Sequence, residues 1–193
     1  KKIKFYLITS GTHLSKKFGE TINEIKKDKI KIHKKIDIIK DREKNNLNDL
    51  TIANNAFNFF KNIFQKINPD FYIIFGDRYE MLPLAYLAYL NRTKIIHING
   101  GEVSYGAIDE SIRHAISKFS DFHFVANEIN KRRVLQMGEN PKNVYNYGSL
   151  NVDSIKKIKF YNKKQIEKKL KTKLFKKNLV FTYHPETYLK TNQ

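Results

Sequence analysis

The sequence predicts an α/β fold with a doubly wound parallel sheet, and three observations support this prediction. Short apolar runs alternate with amphipathic segments at intervals of about 20–30 residues. The runs 71–75 and 95–98 lack polar–apolar alternation, as is typical of parallel strands covered on both faces. Each run ends in a polar loop, Gly76-Asp77-Arg78 after the first and Asn99-Gly100-Gly101-Glu102 after the second. We expect a ligand site there, because ligands bind beyond the carboxyl ends of parallel strands.

The elements follow one another in a regular order of strand, loop and helix. The predicted strands are residues 2–9, 31–39, 71–75, 95–98, 122–126, 144–147 and 179–183. The predicted helices are residues 15–27, 50–67, 81–90, 109–120 and 128–137. Ser15 is a candidate N-cap, and the polar residues 41–48 are predicted to form a loop.

Length and composition predict one or two domains without a membrane span. The chain has 193 residues, 40% of them hydrophobic, and contains no apolar run of about 18 residues. Residues 1–150 are predicted to form one domain, 151–177 a lysine-rich helical connector, and 178–193 the start of a second domain. The chain starts at Lys1 without a signal peptide or an initiator Met, which indicates a start inside a longer product. Because there is no cysteine, we expect a cytoplasmic protein without disulfides.

The chain is strongly basic, with 37 Lys+Arg against 19 Asp+Glu and a formal charge of +18. One interpretation is a nucleic-acid-binding domain. We favour a compositional origin, because the lysines are scattered through every segment, mostly in pairs beside Ile and Asn. We therefore expect no specific nucleic-acid partner, although a positive field attracts any phosphorylated small substrate.

Asp77 and Arg78 directly follow a predicted buried strand. One possibility is that the carboxylate and the guanidinium pair with each other. The alternative is that Arg78 binds a phosphate with its fork of donors while Asp77 faces a sugar.

A second group of charged residues surrounds the start of the predicted helix 109–120. Asp109 and Arg113 are spaced i, i+4, so they lie on one face of that helix and can form an ion pair. Asp109, Glu102 and Glu110 form an acidic cluster in an otherwise basic protein. Clustered carboxylates raise one another's pKa, which lets one act as an acid while another stays a base.

The sequence predicts neither a metal nor a cofactor. No GxGxxG or GxxxxGK[ST] motif is present, and the six histidines show no metal-ligand spacing. His13 follows the first strand and can be a surface or a site residue. His97 lies on a buried-type strand, and two interpretations stay open for it, a core histidine or a functional one. His114 and His123 are predicted to be structural.

Several strings together closely resemble the hydrolysing UDP-N-acetylglucosamine 2-epimerases of sialic- and legionaminic-type sugar biosynthesis. They are GTHLSKKFG, GDRYEM, HINGGEVSYGAIDESIRHAISK, LQMGE and HPE, and the resemblance runs from Lys2 to about Glu186. It implies two Rossmann-like domains facing each other across a cleft (the GT-B arrangement), with UDP held mainly by the second. It also implies that residues 1–150 lack the first strand and helix of their domain. A UDP-sugar substrate, no cofactor and a homo-oligomer when complete are further implications.

The resemblance also implies roles for individual residues. Asp77 and Asp109 fall on acid/base positions of the family, and Arg113 accompanies Asp109 as a candidate catalytic residue. The other four candidates are expected to bind the substrate, and they are Arg78, His184, His13 and Glu102. Of these, Arg78 and His184 are expected to contact the UDP. Relatives often carry Glu or His at the position of Asn99, so the resemblance assigns that residue no acid/base role.

The implied reaction is elimination of UDP to a glycal, then addition of water to give free N-acetylmannosamine. The alternatives on the same fold are a non-hydrolysing epimerase and a GT-B glycosyltransferase. A nucleic-acid-binding domain and an inactive fragment are alternatives of other classes. Arg78 and Glu102 favour the hydrolysing reaction, because non-hydrolysing relatives usually have GDT and an EAGLRT-type loop in the matching places.

Overall fold

The computed structural model describes residues 3–39 and 48–183. Its strands are β1 (Ile8–Ser10), β2 (Lys34–Ile36), β3 (Phe71–Phe75), β4 (Lys94–Ile98), β5 (Phe122–Val125) and β6 (Val144–Asn146). Its α-helices are α1 (Ile22–Lys27), α2 (Asp49–Ile67), α3 (Met81–Leu90), α4 (Asp109–Phe119), α5 (Glu128–Gln136), α6 (Leu150–Lys157) and α7 (Lys163–Leu170). Short 3-10 turns cover Gly11–Leu14, Lys16–Phe18 and Pro141–Asn143.

The strands form two parallel sheets. One is four-stranded with the order β3-β4-β5-β6, and the other is the pair β1-β2. In the larger sheet Ile74 pairs with His97, His97 with His123, and His123 with Val144, so the four carboxyl ends lie at one edge. The predicted parallel, Rossmann-like α/β fold is confirmed, although β1 and β3 do not pair with each other.

Helix α2 packs against both sheets. Its buried residues Ile52, Ala56, Phe60 and Ile63 recur every three or four positions, as one face of an α-helix requires. They share a hydrophobic cluster with Ile36 of β2 and with Ile74 of β3, so a single core spans both sheets. The side chain of Asn48 caps the helix by accepting a hydrogen bond from the Thr51 N–H at 2.9 Å.

The beginning of the chain differs from the prediction. Strand β1 covers only Ile8–Ser10, and β2 covers only Lys34–Ile36 of the strand predicted over 31–39. The predicted helix from Ser15 begins instead at Ile22. Gly19 adopts a left-handed conformation with φ of +81°, which ends the preceding 3-10 turn and interrupts the predicted helix. The Ser15 side chain caps neither turn.

Two further expectations are corrected by what lies beside each strand. Strand β3 is buried at Ile74, but Phe71, Ile73 and Phe75 are about half exposed, so it is not covered on both faces by the described residues. Residues 179–183, predicted to be a strand, have no strand assignment and are exposed, because no described strand lies beside them. Within the described ranges, no helix has the length and apolar character needed to cross a membrane.

Candidate functional site

The loops after β3 and β4 lie side by side at the carboxyl edge of the larger sheet. The Gly76 N–H donates to the Ile98 carbonyl at 3.0 Å, and the Asn99 N–H donates to the Phe124 carbonyl at 2.9 Å. The first residue of each loop is therefore hydrogen-bonded to the neighbouring strand. Asn99 has a φ of +65°, a left-handed conformation that asparagine tolerates better than most residues.

Arg113, on the first turns of α4, forms hydrogen bonds to both of these loops. The residue is only 3% exposed. Its Nη2 donates to Asp77 Oδ2 and, at 3.0 Å, to Ser104 Oγ. Its Nη1 donates to the Glu102 carbonyl at 2.7 Å and to Glu110 Oε2 at 3.3 Å. A buried guanidinium requires such partners, and here both terminal nitrogens are occupied by the protein.

This arrangement changes the interpretation of the two predicted ion pairs. Arg113 pairs with Asp77 and Glu110, and no ion pair between Asp109 and Arg113 is present among the described residues. Nor does Asp77 pair with its neighbour Arg78, which bonds to Glu80 instead. Arg113 therefore holds the Asp77 carboxylate in place at this edge.

Asp109, half-buried at the start of α4, has a pKa above its usual value. Burial is the main cause, and the negative charge of Asp77 adds to it, while the charges of Arg113 and Arg78 oppose it. The acidic neighbour that matters is thus Asp77, rather than Glu102 or Glu110 as the local sequence suggested. Two carboxyl groups at one strand edge, of which Asp109 has a raised pKa, can exchange protons with a substrate.

Arg78 remains about half exposed at this edge. Its Nε donates to Glu80 Oε1 at 2.6 Å, and its charge lowers the pKa of Asp109. Burial alone would lower the pKa of Arg78, but the hydrogen bond and the charge of Glu80 outweigh burial and raise it. The guanidinium is permanently charged and suited to an anionic ligand.

His97 connects the loop after β3 to α4. It is fully buried, with Nε2 at 2.9 Å from the Gly76 carbonyl and Nδ1 at 3.0 Å from Ser117 Oγ. Because a carbonyl only accepts, Nε2 carries the proton and Nδ1 accepts from the Ser117 hydroxyl. Burial lowers the pKa of His97 to about 4, so the ring is neutral. Of the two interpretations that the sequence left open, His97 is a core histidine that supports the site.

The two glycines after β4 are required for packing. A Cβ at Gly100 would lie 2.9 Å from Ser117 Oγ and 3.0 Å from His97 Nδ1. A Cβ at Gly101 would lie 2.4 Å from the Asn130 carbonyl oxygen, and the φ of Gly101 is +76°. Arg133 of α5 donates to the Gly101 carbonyl. The two glycines thus let this loop lie directly on α4 and α5.

The other predicted site residues are less closely connected. His13 lies in the exposed turn after β1, where its Nδ1 is 2.7 Å from Thr21 Oγ1. Glu102 contributes its backbone carbonyl to Arg113, and its side chain is half-buried. His184 lies outside the described residues. Sequence reasoning missed Glu80, Ser104 and Ser117, none of which stands in a pattern that indicates its partner.

Fold and site together define a Rossmann-like domain with an arginine-anchored carboxylate site at the carboxyl ends of its strands. The family model of UDP-N-acetylglucosamine 2-epimerase matches residues 1–193. The chain belongs to this family.

Relatives with related activities are similar over nearly the whole chain. The GDP/UDP-N,N'-diacetylbacillosamine 2-epimerase (hydrolyzing) of Campylobacter jejuni is 45% identical over 187 residues, which are 97% of this chain and 48% of the relative. The UDP-N,N'-diacetylbacillosamine 2-epimerase (hydrolyzing) of Legionella pneumophila is 33% identical, covering 95% of this chain and 48% of the relative. The chain therefore spans about half the length of these curated relatives.

Solved structures of the same kind share the fold. A UDP-N-acetylglucosamine 2-epimerase crystal structure superposes with a TM-score of 0.72 and 17% identity, covering 86% of this chain and 44% of the other. The Neisseria meningitidis UDP-GlcNAc 2-epimerase bound to UDP-GlcNAc gives a TM-score of 0.64 and 19% identity, covering 86% and 46%.

Proposed function

We propose that this chain is part of a hydrolysing UDP-sugar 2-epimerase that releases UDP and a free 2-epimerised acetamido sugar. The observation that supports this most directly is the edge where Asp77, held by Arg113, influences the protonation of Asp109 beside Arg78. Proton-transferring groups next to a fixed positive charge suit a reaction that moves protons and expels a diphosphate. The names of the two relatives described above agree with this activity.

The proposed chemistry has two stages. A base removes the hydrogen from sugar carbon 2, the electron pair forms a double bond to carbon 1, and the bond from carbon 1 to the UDP oxygen breaks. Water then adds across the double bond and places its hydroxyl on carbon 1. Carbon 2 takes up a proton on the face opposite to the one that lost the original hydrogen, which inverts this carbon. Asp77 and Asp109 are the proposed proton-transferring residues, and Arg78 stabilises the departing diphosphate.

The other proposed substrate contacts are His13, Glu102 and His184. We also propose that residues 1–150 form the first of two facing Rossmann-like domains, followed by a connector at 151–177 and a second domain from 178. The whole enzyme is proposed to be cytoplasmic and homo-oligomeric. UDP-N-acetylglucosamine and UDP-N,N'-diacetylbacillosamine are the substrates to compare, because the relatives' names include the second sugar.

The test uses a chimera in which this chain replaces the matched 187 residues of the Campylobacter jejuni relative. Incubated with each UDP-sugar in heavy water, it should release one UDP per turnover and a free 2-epimer carrying deuterium at carbon 2. Elimination removes the original hydrogen, and hydration takes its replacement from solvent. Proton NMR measures both products.

The Asp109→Asn chimera is the control. It should bind UDP as the parent chimera does but lose at least about 100-fold in kcat, because proton transfer acts in the transition state. Accumulation of a 2-epimerised UDP-sugar would show a non-hydrolysing enzyme. A free product with protium at carbon 2 would rule out the elimination.

A further inference from the structure

Glu80 is a buried carboxylate that the proposed chemistry does not use. The residue is 5% exposed, and its Oε1 accepts from Arg78 Nε at 2.6 Å. Its second oxygen, Oε2, is buried without a hydrogen-bond partner in the described part of the chain. A buried carboxylate is costly unless it is paired, so Arg78 is the partner that makes this burial tolerable.

The turn after β1 confines Glu80 from the other side. Gly11 begins this turn with a φ of +61°, and the position of a Cβ on it lies 3.6 Å from Glu80 Oε1. The backbone of the turn therefore packs against the carboxylate. Glu80, the last residue of the loop after β3, therefore packs against the turn after β1, and its carboxylate is fixed where it can hold Arg78.

The bond to Glu80 occupies only one nitrogen of Arg78. Within the described residues, the Arg78 hydrogen bond to the protein is made through Nε, and neither Nη atom donates to a described group. The side chain is 53% exposed, and its charge acts on Asp109. A guanidinium fixed through Nε presents its two Nη groups together, an arrangement that fits two oxygens of a phosphate group.

We propose that Glu80 is a positioning residue that holds the Arg78 guanidinium so that its Nη groups face a diphosphate at this edge. The identity of the anion rests on the proposed function. Orientation and simple electrostatics predict opposite changes in anion affinity when the Glu80 side chain is truncated. Removing both the charge and the acceptor oxygen beside Arg78 should strengthen anion binding if charge alone matters, and weaken it if orientation matters.

The experiment titrates inorganic pyrophosphate into the 193-residue chain and follows the Arg78 Nε–Cζ NMR signal, assigned by its loss in Arg78→Ala. Glu80→Gln keeps an oxygen acceptor for Nε and should bind pyrophosphate at least as tightly as the wild type. Glu80→Ala should bind about tenfold more weakly, because the guanidinium is no longer oriented. Glu24→Ala removes an exposed carboxylate paired with Lys27 and controls for the same change in net charge.

A second readout separates the two hypotheses. In the wild type, the Arg78 Nε–H should exchange with water more slowly than that of exposed Arg132, and Glu80→Ala should remove this protection. Unprotected exchange in the wild type, or equal pyrophosphate affinity in the two Glu80 variants, would overturn the positioning role. A protected Nε–H with no pyrophosphate response at Arg78 would instead overturn the proposed diphosphate role of Arg78, with Glu80 still holding its side chain.

Discussion

Arg113 is the residue on which the geometry of the site depends most. One buried side chain binds Asp77, Ser104, Glu110 and the Glu102 carbonyl, so it attaches the loops after β3 and β4 to α4. The planar fork of a guanidinium is suited to several acceptors in fixed directions, whereas an ammonium group is a compact point charge. The site therefore depends on the shape of the Arg113 guanidinium as well as on its charge.

Arg113→Lys should therefore destabilise the chain although it conserves the charge. We expect a loss of about 2–3 kcal/mol in the free energy of unfolding, because at least two charge-assisted hydrogen bonds disappear. Urea denaturation measures this loss. Arg132→Lys on the exposed face of α5 is the matched control and should change stability by less than about 0.5 kcal/mol. Equal stability of the two variants would show that the fork is not needed.

At the scale of elements, the site is built where β3, β4 and α4 meet, and His97 joins all three. It lies on β4, accepts from Ser117 of α4 and donates to Gly76 after β3. Its role requires a neutral ring. Burial lowers its pKa, opposed by the Gly76 bond and the charge of Asp77 and reinforced by the charges of His123 and Arg113.

This neutrality predicts how stability depends on pH. Well above pH 6.5 His97 is neutral in both the folded and unfolded states and has no effect on the pH dependence of stability. As the pH falls from 6.5 toward 4, the unfolded chain takes up a proton that the folded chain does not, so stability decreases. At about pH 5 the loss should be on the order of 2 kcal/mol.

Urea unfolding of the wild type and His97→Gln at about pH 7.5 and pH 5 measures this difference. The variant should lose less stability between the two pH values, whatever its absolute stability. Burial also lowers the pKa of His123, although Glu139 opposes it, so some pH dependence should remain in the variant. An identical decrease in both proteins would show that His97 is not the responsible group.

The loop after β4 makes a prediction of its own. Gly101→Ala should cost at least about 3 kcal/mol, because a Cβ would collide with the Asn130 carbonyl in addition to the strain of a positive φ. Gly138→Ala is the matched control: its φ is +89° but no atom lies within 4 Å of the added Cβ, so about 1 kcal/mol is expected. Thermal or urea unfolding measures both, and equal costs would contradict the close packing of the loop.

At the scale of the whole molecule, the charge is the dominant property. The chain carries +18, while its candidate site concentrates carboxylates around two arginines. Exposed lysines on α7 and the residues around it contribute to the basic surface without forming a described site. A net field of this sign favours anionic ligands of any kind, so attraction alone does not identify a ligand.

Binding to random duplex DNA should accordingly be weak and should disappear by about 200 mM salt, as counterion release predicts for contacts with phosphates alone. Fluorescence anisotropy with a labelled duplex across a salt series measures the affinity and its salt dependence. Tight, sequence-selective binding that persists at about 200 mM salt would favour a nucleic-acid-binding function.

The success of the sequence-based prediction follows from the range of the interactions involved. Helices α2, α3 and α4 and strands β3 and β4 begin within a residue of their predicted positions, because apolar periodicity and loop residues act locally. The predictions at 2–9, 15–27, 31–39 and 179–183 were less accurate. There, sheet pairing and left-handed glycines decide where elements begin and end, and a local pattern does not contain that information.

The sequence by itself determined the parallel α/β class and the strand ends at which charged residues collect. Only the tertiary structure decided which of these residues pair. Asp77 bonds to Arg113, 36 residues away, rather than to adjacent Arg78, and His97 bonds to Ser117 across 20 residues. The physical reason is that parallel pairing brings separate strand ends to one edge and lays α4 against it. Which donors then reach a given carboxylate is set by packing between elements, whereas sequence spacing reports only neighbours along one element.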